Sequence, residues 1–419
     1  MIKIGNLDID KLYLGSSDDV KVYLGDTLLY PQGQHDYSQD YFTIVSEEDR
    51  NTISLKNTGY TTSSSMDSYW KSVTISASTD GGSTWRKFTT SRNGTATFGT
   101  INKGDKILFK SITSKFSNTN SSYHYFNSTK NISAEGNILS LLYGDDFLSY
   151  DSLPSISSKE KDKTQQLGCI FKGNKKIISA ENLILKPTTL SPKCYASMFY
   201  GCTSLTTAPE LPATTTYEYS YQGMFHSCTS LTTAPTSIGV SSTIIADLCC
   251  YLMFESCTSL TTAPELPATT LANDCYSNMF EGCTSITTAP ELPATTLANG
   301  CYASMFKNCK SLTTAPELPA TTLANNCYRN MFEGCTSLTT APELPATTLA
   351  YSCYASMFKS CTLLSTITCL AIDISASYCT ENWVNGVAAI GTFKKHSNMS
   401  SWTTGVNGIP SGWAVESEG

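Results

Sequence analysis

The region between Cys194 and Cys361 consists of seven near-copies of one unit, C-Y-x-x-M-F-x-x-C-T-S-L-T-T-A-P-E-L-P-A-T-T-L-A-x-x. The second cysteine of the unit recurs at intervals of 26, 29, 26, 26, 26 and 26 residues, at Cys202, Cys228, Cys257, Cys283, Cys309, Cys335 and Cys361. A fixed period in this range is typical of a solenoid, in which each turn buries its apolar face only against its neighbours. Such a body presents a long surface, so the repeat favours binding over catalysis.

Composition narrows the classes of partner. Charged residues make up 15% of the 419 residues, against about 25% in a typical soluble domain. The net charge of −7 does not favour a nucleic acid partner. No apolar run approaches the roughly 18 residues of a membrane helix. The N-terminus lacks the basic start and continuous apolar stretch of a secretory signal, so we expect the chain to fold in a cytoplasm.

The 17 cysteines allow two interpretations. One is a secreted protein stapled by disulfides. The other is a ladder of buried, reduced thiols, because cysteine packs as a small hydrophobe. In six of the seven turns the pair is spaced C-x7-C, but Ser220 replaces the first cysteine of one turn and leaves Cys228 without a partner in its repeat. This favours reduced thiols. With four histidines and no C-x2-C pair beside the ladder, we predict no metal and no cofactor.

The chain is predicted to be mainly β. Its strand patterns, turn residues and repeats divide it into five parts: an N-terminal β-hairpin module (1–35), a β-sandwich-like domain (36–150), a linker (151–165), a leucine-rich-repeat-like solenoid of 26-residue turns with an N-terminal cap turn (166–380), and a C-terminal β cap (381–419). Two Y-L-G runs, Lys11–Gly15 and Lys21–Gly25, predict the hairpin. The cap, from Trp383 to Trp413, is expected to form β-hairpins.

Several short apolar runs separated by turn residues predict the sandwich-like domain. The expected strands are Phe42–Val45, Ile53–Leu55, Val73–Ala77, Trp85–Thr89, Thr95–Phe98 and Ile107–Phe109. The sequence Asp80-Gly81-Gly82 reads as a hairpin turn. The polar stretch Ser117–Ser122 reads as an exposed loop.

Within each repeat we expect one short strand and a turn-rich or briefly helical return. Leu205, Ala208 and Leu211 are spaced three apart and are predicted to lie inside, as is the Met198-Phe199 pair. Thr206–Ala208 is the expected strand, and the proline that follows should end it because proline cannot donate a ladder hydrogen bond. This is the layout of a leucine-rich repeat without that family's usual asparagine.

The motif M-F-x-x-C-T-S-L-T-T-A-P-E-L-P resembles the surface-antigen (BspA-type) leucine-rich repeats common in gut Bacteroidales and their phages. The resemblance covers residues 166–385, and the cysteine, proline and Met-Phe positions all agree. The N-terminal Y-L-G motifs look like the attachment module of phage virion proteins. The resemblance implies a virion protein, made in the cytoplasm of a bacterial host, that contacts other virion proteins through residues 1–35 and a host-surface glycan or protein through the repeats.

Two rows are candidate binding residues. The tyrosine row could stack on sugars or contact a protein, or could instead pack between turns; it comprises Tyr195, Tyr221, Tyr276, Tyr302, Tyr328 and Tyr354, with Cys250 in the remaining turn. The variable row follows the conserved phenylalanine and differs from copy to copy; it comprises Tyr200, His226, Glu255, Glu281, Lys307, Glu333 and Lys359. Variable residues on a constant frame suit a recognition surface, although drift after duplication gives the same pattern.

A third row is acidic. It comprises Glu210, Glu265, Glu291, Glu317 and Glu343, with Thr236 interrupting it. Because like charges stacked a strand apart are destabilising, the row reads either as a cation- or ligand-binding stripe or as a solvated edge that discourages aggregation.

Three functional hypotheses follow. The first is a structural, adhesive bacteriophage virion protein, such as a tail or head fibre, which could be a homo-oligomer. The second is a bacterial cell-surface adhesin of the same repeat family, and the third is a glycan-cleaving fibre enzyme. The single Asp-box-like sequence Ser78–Trp85 is a structural hairpin motif, and no nucleophile elbow or P-loop is present. The sequence therefore predicts no enzyme.

Overall fold

A computed structural model describes residues 36–58, 72–90, 94–113, 116–119, 122–155, 165–238, 245–400 and 402–418, together with the backbone of five short strands before residue 29. Within these ranges the fold is mainly β, as predicted. The helical elements there are one turn of α-helix, α1 (Ser140–Tyr143), and 3₁₀ turns at Tyr37–Gln39 and Gly144–Ser149. None of the described helices is long and apolar enough to cross a membrane.

The first 28 residues contribute two small antiparallel sheets. The first comprises β1 (Ile2–Ile4) and β2 (Leu7–Ile9), and the second comprises β3 (Lys11–Leu14), β4 (Val20–Leu24) and β5 (Thr27–Leu28). The pairing of β3 with β4 sets Leu12 opposite Val22. The described parts of the two Y-L-G runs therefore pair as antiparallel strands, as the predicted hairpin requires.

Residues 36–155, called the sheet region below, form two sheets that pack on a shared core. One sheet has the order β10 (Thr95–Ile101), β7 (Asn51–Asn57), β13 (Ser122–Ser128), β12 (Ser117–Thr119). The other runs through β14 (Ile132–Asn137), β6 (Phe42–Ser46), β11 (Lys106–Lys110), β8 (Thr74–Ser78) and β9 (Arg86–Thr89). The rings of Phe42 and Phe126, one from each sheet, have centroids 5.2 Å apart, and both are fully buried.

Six predicted strands of the sheet region are confirmed. The prediction of an exposed loop at Ser117–Ser122 is wrong at both ends, because Ser117 begins β12 and Ser122 begins β13, while residues 120 and 121 lie outside the described residues. Ser117–Thr119 is strand β12, and the buried hydroxyl of Ser117 donates a hydrogen bond to Oε1 of Gln165 at 3.1 Å. The expected turn at Asp80 is confirmed. Its carboxylate accepts from the amide of Thr84 at 2.8 Å and closes the hairpin between β8 and β9.

The repeats begin directly on an edge of the sheet region. Strand β14 pairs in parallel with β15 (Ile177–Ser179) and β16 (Leu183–Ile184), which belong to the predicted cap turn. The ring of Phe171 lies 6.0 Å from both Phe42 and Phe126. One continuous apolar core therefore joins the sheet region to the repeats.

Successive repeats are stacked so that equivalent positions are hydrogen-bonded. The bridged residue is a threonine or serine of the repeat, in the parallel pairs Ser179–Thr207, Thr207–Thr233, Thr288–Thr314 and Thr340–Thr366. The expected strand Thr206–Ala208 is thus reduced to one bridged residue, because Pro209 follows at once and lacks the amide hydrogen that would extend the ladder. The return segment is a run of turns and holds no helix.

The last three strands form a parallel sheet. They are β17 (Thr366–Cys369), β18 (Thr392–His396) and β19 (Ala414–Glu418). The expectation of β-hairpins over the last turn is therefore wrong. Each strand is separated from the next by a full return of the chain rather than a tight turn, so the pairing of the repeats continues into the cap.

Candidate binding surface

The return segments owe their shape to a left-handed residue at every fourth position. In the first full turn these are Lys193, Ser197 and Gly201, with φ of 59°, 56° and 70°. Between them, amides alternate between two acceptors. The amide of Met198 closes a local turn on the carbonyl of Tyr195 at 3.1 Å, whereas the amide of Phe199 donates to the carbonyl of Met224 in the next repeat at 2.8 Å. This four-residue period explains why Cys-Tyr and Met-Phe pairs both lie inside.

The interpretation of the tyrosine row as candidate binding residues is wrong. All six tyrosines are only 1% exposed. Neighbouring rings are stacked, with centroids 5.9 Å apart for Tyr276–Tyr302 and Tyr302–Tyr328. The column continues past Tyr354 to Trp383 and Trp402. These side chains therefore fill the space between turns, the alternative left open by the sequence, and are not available to contact a ligand at the surface.

A second column is formed by the phenylalanines that precede the variable row. Their rings stack within 7° of parallel at centroid spacings of 5.2–5.8 Å, in the order Phe171, Phe199, Phe225, Phe254, Phe280, Phe306, Phe332, Phe358. Such aromatic pairs are worth about 0.5–1.5 kcal/mol each beyond the area they bury. The stacked tyrosine and phenylalanine columns hold successive turns in register. They thereby fix the backbone that carries the outward-facing side chains.

All 17 cysteines are buried and none forms a disulfide. Burial raises the pKa of Cys283, Cys301 and Cys361 to about 12. Nucleophilic cysteines need a lowered pKa and an exposed sulfur, so these thiols are structural. The reduced ladder predicted from the repeat spacing is the observed arrangement.

The variable row lies at the surface, as its lack of conservation between copies predicts. Tyr200 is 37% exposed, and the other members are partly exposed. Each side chain contacts its neighbour in the row. Tyr200 stacks on His226 at 4.4 Å between ring centroids, and His226 Nε2 lies 3.0 Å from a carboxylate oxygen of Glu255. At the N-terminal end, Lys172 Nζ lies 5.0 Å from the centre of the Tyr200 ring.

Farther along the row, opposite charges alternate. Lys307 Nζ lies 3.0 Å from Glu281, and Lys359 Nζ lies 2.9 Å from Glu333. Ion pairs at this exposure contribute about 0–1 kcal/mol to stability. Their larger effect is to hold long side chains in fixed positions. The row thus presents an ordered pattern of aromatic, acidic and basic groups.

The acidic row is exposed as well. Glu210 accepts hydrogen bonds from the amide and hydroxyl of Thr236, both at 3.0 Å, where the threonine interrupts the row. A groove of about 460 Å³ lies between two later turns of this row, and its lining includes Glu317 and Glu343. Neither carboxylate is in an ion pair with another described residue.

The structure contains an asparagine ladder that the sequence analysis missed. The side-chain oxygen of Asn273 accepts from the amide of Asn299 at 3.2 Å, and that of Asn299 accepts from the amide of Asn325 at 3.2 Å. Asp247 occupies the equivalent position one turn earlier and accepts from the amide of Asn273 at 2.8 Å. The signal was the recurrence of asparagine after three successive L-A pairs, at Asn273, Asn299 and Asn325.

Comparison with protein-family models finds no match, and a search of curated proteins finds no similar sequence. Among the described residues, no group of three or more His, Cys, Asp or Glu side chains is placed to hold a metal ion. The binding surface is therefore characterised by its geometry alone: a variable, ion-paired row on one part of each turn and an acidic groove on another.

Proposed function

We propose that the chain is a bacteriophage virion protein whose repeats form a leucine-rich-repeat-like solenoid that binds a host-surface glycan or protein. The observation that carries the proposal is the contrast within each turn. Residues that stack inside are nearly identical between copies, whereas the row from Tyr200 to Lys359 changes at the surface. A constant frame with variable outward side chains is what a recognition surface requires.

The way the turns stack supports the proposal that the repeats form a solenoid. Bonds between equivalent positions, as in Thr207–Thr233, and columns of parallel rings mean that each turn contacts mainly its neighbours. This is the organisation of repeat proteins. In such a protein a binding surface gains area with every added turn, and several copies on one particle would make weak contacts effective through avidity.

The virion assignment is tested by proteomics of purified particles. Phage particles purified by density gradient should contain the intact chain at a fixed copy number per particle, and gold-labelled antibodies should mark one structure on them. A bacterial adhesin of the same repeat family is the competing function. Surface labelling of uninfected bacteria, with no chain in the particles, would establish that alternative.

The recognition surface is tested with variants of the variable row. Lys307→Ala and Lys359→Ala together should reduce binding of the purified protein to host cells at least several-fold while changing the free energy of unfolding by less than about 2 kcal/mol, since both pairs are partly exposed. The matched control is Lys103→Ala with Lys175→Ala, which removes the same charge elsewhere. Equal binding by all three proteins would refute the role of the row.

A further inference from the structure

The groove beside Glu317 and Glu343 combines apolar walls with unbalanced negative charge. Its walls come from two adjacent turns and place apolar side chains beside polar backbone and carboxylate atoms; the apolar lining residues are Ala315, Pro316, Leu318, Pro319, Pro342 and Pro345. Both carboxylates are exposed, and neither is in an ion pair with a described side chain. The groove therefore offers apolar side chains next to two exposed carboxylates that no described cationic side chain neutralises.

The repeat sequence around the groove contains no basic residue that could neutralise Glu317 and Glu343. Three nearly identical segments, residues 286–298, 312–324 and 338–350, each contain one glutamate and no lysine, arginine or histidine. Stacking like charges on adjacent turns costs stability. In the variable row each glutamate instead has a basic partner on a neighbouring turn, as in His226–Glu255 and Glu333–Lys359. A feature that breaks a local rule without a compensating contact points to a function outside the fold.

The residues that line the groove suit a lysine or arginine side chain better than a metal ion. Calcium takes six to eight oxygen ligands, whereas this groove offers two carboxylates among proline rings, and no metal-binding group is present in the described residues. Lysine and arginine instead carry a charged head on an apolar stem, which packs along apolar surface while the head stays in water. In the groove, the proline rings could contact the apolar stem, and Glu317 and Glu343 could pair with the charged head.

We propose that the groove is the docking site for an extended, basic segment of a partner protein, whose lysine or arginine stems pack on the proline rings and whose charged heads pair with Glu317 and Glu343. The same row continues to Glu291 and Glu265, so successive basic residues meet successive turns. The groove lies at repeat positions distinct from the variable row. The inference therefore does not rest on the assignment to a virion.

The test is fluorescence polarisation with the full purified chain and a fluorescein-labelled dodecapeptide that alternates arginine and alanine. Glu317→Gln with Glu343→Gln should weaken binding about 2- to 30-fold, as expected for the loss of two exposed ion pairs. Glu181→Gln with Glu381→Gln is the matched control. It removes the same charge from two exposed positions elsewhere and should leave binding unchanged. Raising the salt concentration should weaken binding to the wild type.

A second variant separates docking from general attraction of a basic peptide to an acidic protein. Pro319→Ala with Pro345→Ala keeps every charge but removes part of the apolar wall, and should weaken binding measurably. Equal weakening by the two glutamine variants, or no effect of the alanine variant, would overturn the proposal. Displacement of the peptide by micromolar calcium chloride would overturn it in favour of a metal site, and circular dichroism of each variant checks that it is folded.

Discussion

The thiol of Cys283 donates a hydrogen bond to the backbone carbonyl of Phe254, 29 residues earlier in the chain, at 3.0 Å. The second cysteine of every repeat makes the same contact with the turn before it: Cys202, Cys228, Cys257, Cys283, Cys309, Cys335 and Cys361 donate at 2.9–3.1 Å. The cysteine is thus a link between turns. Its recurrence reflects packing and hydrogen bonding rather than disulfide chemistry.

The first prediction concerns thiol reactivity. For a thiol with a pKa of about 12, such as Cys283, the thiolate fraction at pH 8 is on the order of 10⁻⁴. Iodoacetamide should therefore modify the native protein very slowly, and denaturation without reductant should make all 17 cysteines reactive. Mass spectrometry counts the adducts. Finding most cysteines paired after denaturation would contradict the reduced ladder.

The second prediction concerns alkaline pH. Burial raises the pKa of Cys194, Cys283 and Cys353 to about 12, from 9.0 in the absence of burial. Because the folded-state pKa is raised, the stabilisation is complete below about pH 9 and is lost as the pH rises towards 12, where the unfolded chain has released protons that the folded chain retains. Urea unfolding at pH 8, 9, 10 and 11 should show a progressively lower free energy of unfolding. A flat profile would contradict burial of the thiols.

The third prediction uses two equivalent positions with left-handed backbone. Gly282 has φ of 74°, and Ser256 occupies the same place one turn earlier with φ of 61°. A Cβ added at Gly282 would meet only ordinary contacts, the nearest at 3.5 Å, so Gly282→Ala should cost about 1–2 kcal/mol through the backbone alone. Ser256→Gly should stabilise the fold. Thermal denaturation measures both, and Ser256→Ala, which keeps a Cβ, is the control.

The fourth prediction concerns the tyrosine column. The hydroxyl of Tyr328 is buried without a hydrogen-bond partner, and an unsatisfied buried polar group costs about 1–3 kcal/mol. Tyr328→Phe should therefore leave the free energy of unfolding unchanged or increase it. Tyr328→Ala removes the ring and should cost about 3–5 kcal/mol. A loss of stability in the phenylalanine variant would show that the hydroxyl has a partner, such as an internal water.

The fifth prediction tests the proposed solenoid. Deletion of residues 286–311 removes one 26-residue period and joins Ser285 to Leu312, which restores the repeat sequence across the junction. Because each turn contacts mainly its neighbours, the shortened chain should fold with a lower free energy of unfolding. Small-angle X-ray scattering should show a shorter particle. Deletion of 13 residues, 286–298, is the control and should disrupt folding, since it breaks the period.

The features that follow from local chemistry could be predicted from the sequence. The six predicted strands of the sheet region, the buried cysteines and the surface position of the variable row all depend on residue type and spacing. The tyrosine row was ambiguous because a tyrosine in a turn-rich segment can face either way. Its direction is set by left-handed residues such as Ser197 and Asn278, and most of these are not glycine. The parallel cap was unpredictable because it depends on pairing between distant strands.

The pairing of β14 with β15 has a consequence for the order in which the chain folds during synthesis. The sheet region is made first, and it offers the first turn a preformed strand edge and the aromatic surface of Phe42 and Phe126. During synthesis at about 5–20 residues per second, a new 26-residue turn emerges every few seconds, far longer than the microseconds in which small elements form. We therefore expect each new turn to pack on turns that are already folded, so that assembly follows the order of translation and ends when Trp383 and Trp402 cover the last rings.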